Sequence, residues 1–173
     1  MRPASLREVA DRIRGDGDWD HHTCEFLDGF YTADGESDRQ AAMIREDPGF
    51  VGMARTDAYL GGVGEHLARR WCLPIPRWVR DDARYLDAAW FLPDERNLRG
   101  YLLCVSPVSF RARLIFTGPD PLQRARFPYH RGVLTLPFDY PPAPLTPSPP
   151  SAAAPAGGSP PGSSPGSRGG SAR

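Results

Sequence analysis

The densest run of side chains able to do chemistry is Asp16, Asp18, Asp20, His21, His22, Cys24 and Glu25. Asp16-x-Asp18-x-Asp20 opens like a calcium loop, which then requires Gly at its sixth position and Glu at its twelfth. Those positions hold His21 and Leu27, so the bidentate anchor is missing and calcium is excluded. A transition metal makes a lighter demand. Asp18 and His22 stand one helical turn apart, with Glu25 close behind, and such groups can chelate. Asp18, His22 and Glu25 are therefore the candidate ligands of a metal-dependent enzyme, although His22 also falls three residues after Trp19 and four before Phe26. That spacing places it on an apolar stripe and favours a partly buried core histidine, with His21 solvated.

Other signatures of catalysis fail on inspection. Glu65-His66 reverses H-E-x-x-H and lacks its second histidine, which leaves a charged pair on a helix surface. Gly61-Gly62-Val63-Gly64 has no preceding strand, and Leu67 stands where G-x-G-x-x-G needs its third glycine. Close helix packing explains the glycines better, at a cost of about 2–3 kcal/mol relative to Ala. There is no G-x-S-x-G and no Walker motif. No catalytic residue is assigned, no cofactor is expected, and the sequence leans away from an enzyme. Cys24, Cys72 and Cys104 are odd in number and widely spaced, which indicates neither a disulfide framework nor a zinc ribbon. Their apolar neighbours suggest small buried hydrophobes.

Charge is the clearest asymmetry. Every basic residue is arginine, spread from Arg2 to Arg173, as a GC-rich bacterial coding sequence would give. Residues 1–95 hold 12 Arg and 19 Asp/Glu, whereas residues 96–131 hold seven Arg against Asp120 alone. Such a split points to an acidic partner or to nucleic acid. Arg111 and Arg113, like Arg124 and Arg126, are two apart, so on a helix they diverge by about 200° and make a poor recognition helix. One reading has them pair with the acidic residues of the N-terminal helices. The other has Arg111, Arg113, Arg124 and Arg126 contact a partner, together with Trp78 and Trp90 of the aromatic, Pro-rich middle, because interfaces favour Trp and Arg.

The elements that position these residues are helical. Leu6, Val9, Ala10 and Ile13 recur at helical spacing, between Ser5 as N-cap and Gly15 as stop. A second helix spans about 18–32, capped by Asp18. A third covers about 36–46 and is halted by Pro48. A fourth covers about 53–72, with Leu60, Val63, Leu67 and Trp71 on one face. The segment 78–86 reads as a short helix, and 94–105 as another with Leu98, Tyr101, Leu102 and Val105 at core spacing. Pro107 opens a new turn with Phe110 and Leu114 facing inward, and a last short helix follows Pro121. No alternating strand pattern precedes residue 130. The expected fold is all-α, an irregular bundle of six to eight short helices.

That domain is expected over residues 1–135, as an acidic body to about 95 and an Arg-rich segment 96–131. Residues 136–173 form a Pro/Gly/Ser/Ala-rich tail. From Pro141 onward its composition cannot offset the entropy of ordering, so it is expected to be disordered. A charged N-terminus without an apolar core, and no long apolar run, predict a cytoplasmic protein without a membrane span.

Finally, three stretches carry a resemblance. They are Glu25-Phe26-Leu27-Asp28-Gly29-Phe30-Tyr31, then Glu65-His66-Leu67-Ala68 ahead of Trp71 and Pro74, and Ser106-Pro107-x-x-Phe110-Arg111-x-Arg113-x-Ile115-Phe116 followed by Leu122-x-Arg124-Ala125. Over residues 5–126 the chain resembles small uncharacterised bacterial proteins encoded beside nucleotidyltransferase-like proteins of toxin–antitoxin type. The resemblance implies an antitoxin-like or accessory role and a protein partner, the product of an adjacent gene. The expected function is thus non-enzymatic protein interaction. The alternatives are a DNA-binding regulator using the Arg-rich segment and a metal-dependent enzyme at the Asp18/His22 cluster.

Overall fold

In a computed structural model of the chain, residues 1–124 are described. Arg126, Arg131, the stretch to residue 135 and the Pro-rich tail lie outside the described residues. Six α-helices and two very short strands occur among those described, so the all-α reading holds.

Helix α1, Leu6–Asp16, begins at Ser5, whose hydroxyl accepts from the Glu8 amide at 3.2 Å. The Glu8 carboxylate turns back to the Ala4 amide at 2.8 Å, so each end of this first turn is satisfied. The helix passes through Gly15 and stops at Gly17, which adopts φ 79°. Gly17, not Gly15, is the stop because it is the residue in the left-handed conformation. Helix α2, Trp19–Thr32, is capped by Asp18 as expected, and buries Phe26, Leu27, Phe30 and Tyr31. Helix α3 is Ser37–Arg45 and α4 is Ala54–Arg70.

Helix α4 is the axis of the core. Leu60, Val63 and Leu67 are fully buried, and three of its glycines admit neighbours that a Cβ would strike. A Cβ on Gly61 would lie 2.9 Å from Arg113 Nε, on Gly62 2.8 Å from the Phe110 ring, and on Gly64 2.6 Å from Trp78. The Gly-Gly-Val-Gly run is therefore a packing surface. Its cost in helix propensity is offset by the aromatic and guanidinium groups it lets approach the backbone.

Beyond α4 the chain is more irregular than its periodicity suggests. Residues 78–86 form two 3₁₀ turns, Arg77–Arg80 and Asp82–Arg84, instead of a helix. A 3₁₀ turn at Arg96–Leu98 leads into α5, Arg99–Val105, in which only Leu102 is buried. Tyr101 lies on the outer side, so the core spacing read for α5 fails. Helix α6, Val108–Arg111, buries Phe110, but Leu114 takes φ 58° and turns outward. Strand β1, Trp90–Phe91, pairs in parallel with β2, Ile115–Phe116. Two residues are too few to show the period of a strand. Among the described residues Pro121 is followed by a turn, and most of the span expected for a last short helix lies outside them. No helix among the described residues is long and apolar enough to cross a membrane.

Candidate functional site: an arginine-edged groove

The fate of the arginines decides where a partner could bind. Arg113 is completely buried. Its Nη1 donates to Glu65 Oε2 at 2.7 Å and to the Ser109 carbonyl, its Nη2 donates to the Val79 carbonyl, and Tyr85 stacks 4.9 Å away. It offers a partner no surface, which corrects its assignment as a contact residue. The physical reason is Gly61, whose missing side chain makes room for the guanidinium against α4. Arg124 donates to Asp28 Oδ1 on α2 at 3.0 Å. Nearby, the Tyr31 hydroxyl donates to the Leu122 carbonyl at 2.7 Å, which fastens the same segment to α2. Of the four candidate arginines, Arg111 alone among the described residues is exposed and without a carboxylate partner.

The tryptophans behave similarly. Trp78 is buried with its indole N–H donating to the Ile44 carbonyl at 3.1 Å. Trp90 is half-buried against Trp19 and Tyr59. Both anchor the interior, although an edge of Trp78 reaches a groove described below.

Arg84 is the second buried arginine, which nothing in the local pattern marks beyond its place near Trp78. Its Nη2 donates to Asp47 Oδ1 at 3.0 Å and to the Gly49 carbonyl at 2.9 Å, and its Nη1 to the Asp57 carbonyl at 3.3 Å. The guanidinium carbon lies 4.7 Å from the ring centres of both Phe50 and Trp78. Carbonyls, a carboxylate and two aromatic faces together replace the water it has lost.

Glu65 and His66, read as a charged surface pair, are both drawn inward. Burial pushes the Glu65 carboxyl upward, but hydrogen bonds from Arg113 and Arg69 and their charges outweigh it and hold it below its ordinary value. His66 is buried beside Phe110, with Nε2 lacking a partner among the described residues. Burial, reinforced by the Arg70 charge and opposed by Asp120, lowers its pKa to about 4. The cysteines depart from expectation the other way. Cys24 is only half-buried, while Cys72 and Cys104 are exposed, because Cys72 sits in a left-handed turn and Cys104 on the outer side of α5.

Six described arginines have no carboxylate partner: Arg45, Arg55, Arg77, Arg80, Arg96 and Arg111. Arg55 stacks on Trp90. Three of the other five, Arg45, Arg77 and Arg80, line one groove of about 760 Å³. Arg45 comes from the last turn of α3, and Arg77 and Arg80 from the 3₁₀ turn that follows Pro74-Ile75-Pro76. Those prolines, Ile75, Ala41 and the edge of Trp78 supply an apolar floor. The two carboxylates in the lining are already engaged: Asp47 receives Arg84, and Asp81 accepts from the Ala83 amide. The groove is thus an apolar-floored channel in which three arginines outnumber the one carboxylate not paired with a cation, Asp81. The prolines that shape it are visible in the sequence. The gathering of Arg45 with Arg77 and Arg80 is not, because it depends on where α3 packs.

At the N-terminal cluster, Asp18 is spent on the α2 cap, accepting from the His21 amide at 3.0 Å. His22 is buried as expected, and His21 is exposed. The side chains brought together there are His21, His22 and Glu25.

No protein-family model, curated protein or solved structure matches this chain.

Proposed function

We propose that this chain is a non-enzymatic interaction protein whose groove between α3 and the Pro74–Asp81 segment receives an acidic segment of a protein partner. The observation that carries the reading is the convergence of Arg45, Arg77 and Arg80, without carboxylate partners among the described residues, on one apolar-floored channel. Two arginines of the closing segment, the buried Arg113 and the docked Arg124, are by contrast taken up by carboxylates of the acidic body. An acidic segment with an apolar side chain between its charges complements both features of the groove. The resemblance of residues 5–126 to bacterial proteins encoded beside nucleotidyltransferase-like proteins supports an antitoxin-like or accessory role in the cytoplasm, with the adjacent gene's product as partner.

Co-expression of the full chain with that product tests this directly. The two proteins are expected to co-purify, with the complex weakening as salt rises. A chain that elutes alone contradicts the accessory role. Retardation of duplex DNA at low salt by the isolated chain would favour the regulator reading instead, and its absence removes that reading.

A further inference from the structure

We infer that His21, His22 and Glu25 form a binding site for a borderline transition-metal ion such as Zn²⁺, oriented by Asp16. The three residues occupy successive turns at the start of α2, at spacings of three and four that put Glu25 beside both histidines. One ligand atom from each lies within 4.8 Å of the other two. Two atoms bound to one tetrahedral zinc at about 2.1 Å lie about 3.4 Å apart, so the trio must close by up to about 1.4 Å. His21 is the side chain that can supply the movement, being largely exposed, with Nε2 already 3.8 Å from Glu25 Oε2.

His22 gives the second, independent observation. Its side chain is nine-tenths buried, and Nε2 meets Asp16 Oδ2 at 2.7 Å. The other ring nitrogen, Nδ1, is buried without a partner among the described residues. A neutral imidazole whose Nε2–H is given to a carboxylate such as Asp16 keeps a lone pair on Nδ1, which is the state in which protein histidines bind metals. A plain core histidine leaves that nitrogen uncompensated. Asp18 and Asp20 lie beside the trio in sequence and add negative charge to this end of α2. The competing cation is Arg12, 3.6 Å from Glu25 Oε2. It also holds Glu8 at 2.7 Å, so it keeps a partner when Glu25 turns toward a metal. Two imidazoles and a carboxylate suit zinc and neighbouring ions rather than calcium or magnesium. The site joins the end of α1, through Asp16, to the start of α2.

Titration of the full, metal-free chain with Zn²⁺ tests the assignment, read by calorimetry and by thermal melting. One Zn²⁺ should bind per chain and raise the melting temperature. His21→Ala combined with Glu25→Gln, both at accessible positions, should abolish the effect, and Asp16→Asn should weaken binding about 10–100-fold. With Co²⁺ as probe, a visible ligand-field spectrum without a thiolate charge-transfer band is expected. Absence of Zn²⁺ uptake, undiminished uptake by the double variant, or a thiolate band from Cys24, Cys72 or Cys104 would each overturn the proposal.

Discussion

Arg113 Nη1 and Glu65 Oε2 meet at 2.7 Å, with the guanidinium fully buried and the carboxylate almost so. The ion pair joins the Arg-rich closing segment to the central helix of the acidic body. Removing one partner of such a pair leaves the other charge buried, at a cost of roughly 3–5 kcal/mol. Arg113→Ala should therefore unfold at much lower denaturant than the parent chain. Arg113→Lys should also be strongly destabilised, because one ammonium cannot reproduce the fork that reaches Glu65, Ser109 and Val79 together. Arg111→Ala, at an exposed position, should stay within about 0.5 kcal/mol. Chemical denaturation of the three variants measures the contrast.

Gly61, Gly62 and Gly64 should respond to substitution against helix propensity. Alanine at each would gain about 1 kcal/mol intrinsically, yet its Cβ would strike Arg113, Phe110 or Trp78 at 2.6–2.9 Å. Gly64→Ala is expected to destabilise by about 1–3 kcal/mol, the usual range for overpacking. Gly100 in α5 has nothing within 4 Å of its Cβ position, so Gly100→Ala should stabilise by about 0.5–1 kcal/mol. Equal shifts at both sites in thermal melts would contradict the packing account.

His66 predicts a pH dependence. Its folded pKa of about 4 lies below the ordinary histidine value of about 6.5. Between those values the unfolded chain binds a proton that the folded chain does not, so stability must fall as the pH drops from about 6.5 toward 4. Across the window the loss is of the order of 3 kcal/mol. Glu65 adds a loss at lower pH, because its folded pKa is also depressed: its contribution is complete above the unfolded carboxylate value and disappears as the pH falls through the folded one. His66→Leu should flatten the upper part of the curve and leave the acid limb. Denaturation midpoints at several pH values separate the two.

Much of the fold was legible because local signals and packing agree. Ser5 and Asp18 cap their helices through their own side chains, and Leu60, Val63 and Leu67 keep one buried face through α4. The signals fail where tertiary contacts outvote spacing. Leu98, Tyr101 and Val105 have core periodicity, but α5 sits at the edge and buries Leu102 alone. The 3₁₀ turns after Pro76 bury Trp78, Val79 and Arg84 through geometry that a helical period cannot anticipate. The site was less legible for a related reason. Charge counting identifies an Arg-rich segment but not which arginines the fold will consume. Arg113 and Arg124 find carboxylates on α4 and α2, whereas Arg45, Arg77 and Arg80, from a region of net negative charge, have none among the described residues.

The groove supports a direct measurement: the binding of a fluorescent peptide rich in Asp and Glu with one central aromatic residue, followed by anisotropy at low and moderate salt. Three exposed charge pairs, each contributing a few tenths to 1 kcal/mol, together approach or exceed the 1.4 kcal/mol that changes affinity tenfold. Charge reversal at the three positions (Arg45→Glu, Arg77→Glu and Arg80→Glu) should weaken binding about tenfold or more. The paired control, Arg96→Glu with Arg111→Glu, should leave it nearly unchanged. A peptide that fails to bind at low salt, or that loses affinity equally with both sets, would contradict the assignment of this groove as the partner site.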